Sequence, residues 1–161
     1  RNLAEQTGQP YVSERWLGGM LTNWNTIGAQ IKHLVDLEGK MASGELASKY
    51  NKLEIQRYQE EIDAMNVLYG GIKELHARPG VVVIFDIVSD QNALKEAKKL
   101  KLPVIALVDT NADPSHVDYP IPCNDDAIKA LQLMADYFAS AVETGKAKVK
   151  APEKAADKEE K

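Results

Sequence analysis

The sequence predicts an α/β fold: a flavodoxin- or Rossmann-like parallel sheet carrying an inserted antiparallel helical hairpin. Two unbroken apolar runs, Val81–Phe85 and Val104–Val108, have the character of strands buried on both faces of a parallel sheet. Between them Ala93, Leu94, Ala97 and Leu100 recur on one helical face, which completes a βαβ unit expected to be right-handed. Ahead of the first run, two apolar stripes at intervals of three and four residues flank the breakers Gly39, Ser43 and Gly44, and these mark the hairpin.

Residues 1–23 read as the end of a truncated βαβ unit followed by a loop rich in Arg and Trp, so the sheet is expected to lack its amino-terminal part. Residues 1–7 supply the last turns of a helix stopped by Gly8, and Pro10-Tyr11-Val12 is expected as a short strand feeding the loop. Residues 24–77 form the hairpin. Thr22 or Asn23 can cap its first helix, whose stripe is Ile27, Ile31, Leu34 and Met41, with Glu38 in the skipped position. Ile55, Tyr58, Ile62, Met65, Tyr69 and Ile72 make the second stripe. Residues 78–145 form the α/β core. Arg78-Pro79-Gly80 closes the insertion, Asp86 ends the first strand, and Ser89 or Asp90 can cap the crossover helix. Tyr119-Pro120-Ile121-Pro122 is expected as a stiff extended bridge, because each proline fixes its own φ and restricts its predecessor. Asn124 or Asp125 then caps a helix with Ile128, Leu131, Met134, Ala135, Phe138 and Val142 inward, ending near Gly145. Residues 146–161 alternate Lys, Glu and Ala with no large hydrophobic after Val149, and read as a disordered charged tail.

With 161 residues, 44% of them hydrophobic, the chain can bury a sizeable core. Its single cysteine, Cys123, allows no internal disulfide, and no Cys/His cluster has zinc-ligand spacing; both suit a reducing compartment, the cytoplasm or an organelle interior. No apolar run reaches the length of a bilayer span, so no membrane partner is expected. The net charge of −4 runs against the usual basic character of nucleic-acid-binding domains. Residues 1–145 hold 14 basic and 20 acidic residues, so any RNA contact has to be local. An acidic face suits a basic protein neighbour equally well.

Chemistry-bearing side chains gather in two places. The first is Glu14–Trp24, where Arg15, Asn23 and Trp24, with Lys32 on the following helix, are candidates for contact with RNA or protein. Arg pairs with phosphate through two prongs, Asn reads base or sugar edges, and Trp stacks on an unpaired base. Trp16 belongs to the same set, yet it can equally plug the edge of the core while Gly18 and Gly19 turn the chain. Other hairpin cations, among them His33, Lys40 and Arg57, are interleaved with acids and read as a solvated mixed-charge surface.

The second place is the end of the strands. Asp86 and Asp109 follow the two apolar runs, where open α/β sheets place ligands and metals, and Asp113, His116 and Asp118 are close in sequence. A nucleotide- or phosphate-ligand-binding enzyme using these acids is the alternative reading. Against it, no Gly-rich phosphate loop follows either strand, no Ser or Cys stands in a nucleophile elbow, and no Lys lies beside the acids. Asp, Thr, Asn and Pro are equally the residues of tight turns. No catalytic residue, metal ligand or cofactor is assigned.

Three motifs together, Glu14-Arg15-Trp16-Leu17-Gly18-Gly19-Met20-Leu21-Thr22-Asn23-Trp24, Val108-Asp109-Thr110-Asn111-Ala112-Asp113-Pro114 and Asp118–Ile128, resemble the S-two family of small-subunit ribosomal proteins in its bacterial or organellar form. The resemblance runs from about Ala4 to Gly145, with the interrupted helical region between the first two motifs; Cys123 stands where the family usually has Gly. Family members carry a His/Gly-rich opening and a first βαβ unit ahead of the point where this chain begins. The resemblance implies a structural role without catalysis: binding small-subunit ribosomal RNA and neighbouring small-subunit proteins, and in bacteria supporting docking of the large mRNA-binding S-one protein. It also implies that the Arg/Trp loop faces the ribosome. A protein-interaction module using the hairpin as a docking arm is a further alternative.

Overall fold

The computed structural model describes the backbone of residues 1–159 and the side chains of residues 1–149. The chain runs α1 (Asn2–Thr7), α2 (Trp24–Ala42), α3 (Glu45–Lys49), α4 (Lys52–Tyr69), β1 (Val82–Ile84), α5 (Gln91–Lys99), β2 (Val104–Val108), β3 (Tyr119–Pro122) and α6 (Ile128–Glu159). The three strands form one parallel sheet in the order β1-β2-β3, with Val82 opposite Val104 and Ile105 opposite Tyr119. This is the α/β, flavodoxin-like arrangement expected from the two apolar runs. Ala93, Leu94 and Ala97 of α5 pack on Val82, Ile84, Val104 and Ala106, together with Ile87, Val117 and Leu21. Just past β1, Phe85 meets Phe138 of α6 edge to face, with ring centroids 5.7 Å apart.

A second apolar cluster lies within the helical insertion. Ile27, Ile31, Leu34 and Leu37 of α2 bury against Ile62, Met65 and Tyr69 of α4, with Ile72 and Met20 completing it. Leu37, absent from the expected stripe, is 6% exposed, while Met41 is only partly buried. Glu38 sits beside that cluster. It accepts from Asn66 Nδ2 at 2.8 Å and Lys73 Nζ at 2.6 Å, so the charge that interrupts the stripe fastens α2 to the far end of α4. Lys73, and after it Asn66, hold the Glu38 carboxyl below its ordinary range.

Several elements differ from the expectation. Pro10-Tyr11-Val12 is no strand; the Tyr11 N–H donates to the Gly71 carbonyl at 2.9 Å, without a continuing ladder. A Cβ on Gly71 would lie 2.2 Å from the Tyr11 oxygen, so this docking requires glycine there. The turn between the hairpin helices contains α3, and α4 opens on a reciprocal cap: Asn51 Oδ1 accepts from Glu54 N, and Glu54 Oε2 from Asn51 N. Asn23 and Asp90 stand at the expected N-cap positions, but neither side chain accepts from a backbone N–H of its helix.

The first apolar run is buried on one face only. Val81 and Val83 are 44% and 40% exposed, because α5 covers the side bearing Val82 and Ile84. Tyr119–Pro122, expected as a bridge, is a true strand. Cys123 N donates to the Val108 carbonyl, so by two-residue alternation Pro120 and Pro122 turn their missing N–H groups to the outer edge, where no ladder bond is lost. Gly145 does not end the last helix. The backbone of 146–159 is helical, in line with the strong helix propensity of Ala, Lys and Glu, where composition suggested a disordered tail; residues 160–161 lie outside the described residues.

The two clusters predict separable losses of structure. Replacing Ile31 and Ile62 by Asp places charges in the second cluster, at a cost of about 4 kcal/mol or more. Amide exchange should then rise across α2 and α4 while β2 and α5 keep their protection; simultaneous loss in all of them would show a single cooperative core.

Candidate functional site

The loop between α1 and α2 is built around one carboxylate that it does not contain. Glu96 lies on α5 beside the inward face of Ala93 and Ala97, and points at the loop. Its Oε1 accepts from Gly19 N at 2.7 Å and Trp16 Nε1 at 3.2 Å. Its Oε2 accepts from Leu21 N, Thr22 N and Thr22 Oγ1, each at 3.0 Å. Such convergence needs consecutive N–H groups turned to one side, which the left-handed Gly19 (φ +93°) allows. Burial acts against the Glu96 charge, but the N–H groups of Thr22, Gly19 and Leu21 together with Trp16 outweigh it and hold the carboxyl below its ordinary value.

Trp16 is thereby placed. Its ring packs against both apolar clusters and its N–H is taken by Glu96, so the core-plug reading of this residue is the one the structure supports. Leu17 likewise packs on the insertion. Arg15 is exposed and makes no ion pair among the described residues. Asn23 is exposed too; its Oδ1 accepts from Thr26 Oγ1 at 3.0 Å. Trp24 is half-buried against the second cluster, and Lys32 stands exposed on α2, two turns further along. Arg15, Asn23 and Lys32 are the members of the set left free for a partner, and Trp24 offers part of its ring.

The acids around the strand ends do not all gather in one place. Asp118 binds Val104 N at 2.9 Å and Lys98 Nζ at 3.0 Å, at the start of β2, whereas Asp109 follows its end, about 16 Å away at strand rise. Asp113 closes a turn on Ser115. Asp86 accepts from Val88 N and Ser89 N, in the manner of an Asx turn. What does converge is Asp109, Asp125 and Asp126, whose carboxylate oxygens lie within 4.8 Å of one another. Asp109 is held low by the N–H groups of Thr110 and Asp125; burial, then the neighbouring Asp86, Asp109 and Asp126, push Asp125 up. These bonds fasten the turn after β2 to the entry of α6.

Residues 1–145 match the ribosomal protein S2 family over most of the chain. The chain belongs to that family. Among similar proteins, the small ribosomal subunit protein uS2 of Orientia tsutsugamushi (strain Boryong) is 48% identical over 139 residues, covering 86% of this chain and 48% of the relative. The uS2 of Rickettsia bellii (strain OSU 85-389) is 44% identical over 142 residues, 88% of this chain and 49% of its own length. That of Acaryochloris marina (strain MBIC 11017) is 46% identical over 143 residues, 89% and 48% respectively. The chain thus spans about half the length of these relatives, all of them bacterial. The S2 match includes the Arg/Trp loop, the insertion and the sheet in one stretch. No described helix is long and apolar enough to cross a membrane.

Glu96 escaped the sequence reading because an acid inside a Lys-rich helix looks like solvated surface; its signal was only its place next to the inward face. The S2 chain should lose on the order of 4 kcal/mol on Glu96→Ala, since hydrogen bonds to a charged group contribute about 1.5–3 kcal/mol each and do not simply add. The folded carboxyl titrates below the ordinary 4.5, so its contribution is full above that pH and is lost as pH falls through the folded value. Thermal melts of Glu96→Gln should therefore be less sensitive to acidification below about pH 4.5 than those of the parent. Equal acid sensitivity would show that this group carries no such linkage.

Proposed function

We propose that the chain is part of a structural constituent of the small ribosomal subunit in translation, binding ribosomal RNA and neighbouring ribosomal proteins and catalysing no reaction. The observation that carries this reading is the S2 family match over residues 1–145. Ribosomal protein membership implies a structural protein, and the cytoplasmic ribosome is its setting. The geometry supports the finer part. A carboxylate with five donors ties down the Trp16 indole and the backbone at Gly19, Leu21 and Thr22, so Arg15 and Asn23 flank a braced loop. Fixing the frame beforehand lowers the ordering cost of gripping folded RNA.

Recognition by such a surface is by shape and local charge. The acidic excess of residues 1–145 disfavours a broad RNA footprint and suits basic protein neighbours over the rest of the surface. Docking support for the S-one protein in bacteria belongs to the same proposal, as a protein contact of the assembled subunit.

In the complete protein Arg15→Ala should reduce competitive incorporation into small subunits. It should also lower the slope of log K against log salt for small-subunit ribosomal RNA by about 0.7–0.9 if it frees one phosphate. Normal incorporation under competition, with an unchanged slope, would remove Arg15 from the interface.

A further inference from the structure

A run of lysines closes α5 and continues past it. Lys95, Lys98, Lys99 and Lys101 place four of the 14 basic residues of the 1–145 region within seven positions. All four are exposed. At 100° per residue Lys95 and Lys99 fall on the outer side of α5, opposite Ala93, Leu94 and Ala97, while Lys98 lies on the flank, next to Leu94. Glu96, the acid within the run, is turned away and fully engaged by the loop, so it does not pair with them. Lys98 is anchored to Asp118 at 3.0 Å, and Lys95 reaches Gln91 Oε1 at 2.7 Å. Lys99 and Lys101 have no ion pair among the described residues.

Two observations set this end of the helix apart from ordinary solvated surface. Lys98 and Lys99 complement the carbonyl end of the helix, but Lys95 lies a turn before it and Lys101 beyond it. Lys101 also sits at φ +57°, the one non-glycine residue with positive φ among those described, at a position where glycine would be unstrained. Beside it an open cleft is lined by Lys98, Lys101, Leu102, Pro103, Asp118 and Tyr119, and Tyr119 is 62% exposed, a flat ring next to the cations.

We propose that Lys95, Lys99 and Lys101, with Lys98 and Tyr119 beside them, form a second RNA-contact surface that grips phosphates of the ribosomal RNA. This rests on the reading of the chain as a ribosomal component and adds a site at the other end of α5's neighbourhood, outside the Arg15 loop. Compact ammonium groups on flexible stems suit phosphates as point charges, whereas carboxylates of an acidic protein are matched better by the planar fork of arginine, which is absent here. Tyr119 supplies stacking surface that a peptide partner does not need.

The test measures binding of the chain to purified small-subunit ribosomal RNA across a salt series, with poly-glutamate as the competing class of polyanion. Lys95→Gln with Lys99→Gln should lower the slope of log K against log salt by about 1.4–1.8, and Lys101→Gly by a further unit or so. Lys101→Gly should at the same time raise Tm by about 2–4 °C, because glycine relaxes the left-handed backbone. A gain in Tm with loss of RNA affinity separates a contact residue from a structural one. Unchanged slopes in the lysine variants overturn the proposal; if Arg15→Ala still lowers the slope, the ribosomal reading stands without this surface. Loss of poly-glutamate binding with RNA binding intact overturns it in favour of an acidic protein partner. Absence of salt-dependent RNA binding by the parent chain overturns both.

Discussion

The contact between the Glu96 carboxylate and the backbone of Gly19, Leu21 and Thr22 is the constraint on which the arrangement depends. A loop lying across two apolar clusters has N–H groups that must find acceptors once water is excluded. One side chain from α5 supplies them. In doing so it sets Leu21 into the cluster under the sheet and Met20 into the cluster of the insertion, one residue apart. Trp16 spans both and donates to the same carboxylate. The sheet and the helical insertion thus share a joint whose specificity is polar and whose driving force is apolar.

That joint bears on the proposed contact of Arg15. A charge on a mobile loop would have to be ordered at the moment of binding, whereas Arg15 flanks backbone that is already fixed. The same carboxylate has a second electrostatic effect: by turning inward it leaves the outer side of α5 without an acid of its own. One residue both holds the loop and clears the lysine-bearing surface of its negative charge.

Much of this architecture was legible in the residues. Apolar runs and the Ala93/Leu94/Ala97 face specified the βαβ unit, since buried parallel strands and a one-sided helix leave plain periodicities. The stripes of α2 and α4 were equally plain. Less legible were features that depend on distant partners. Tyr119–Pro122 became a strand because its prolines happen to face the open edge, and Tyr11 failed to become one because its partner, Gly71, offers a single carbonyl. Of the candidate contacts, Trp16 gives its indole N–H to Glu96, eighty residues away in the chain, and no local pattern carries that pairing. Asp118 was grouped with the strand-end acid Asp109 by proximity in sequence alone, and the two in fact bracket opposite ends of β2.

The most direct measurement of the central claim is residue-resolved amide exchange in the unmodified chain. If the Glu96 carboxylate organises the joint, the N–H groups of Gly19, Leu21 and Thr22 exchange as slowly as those of β2, although they lie in a loop. Exchange of these three amides at the rate of an open loop, with β2 protected, would contradict it.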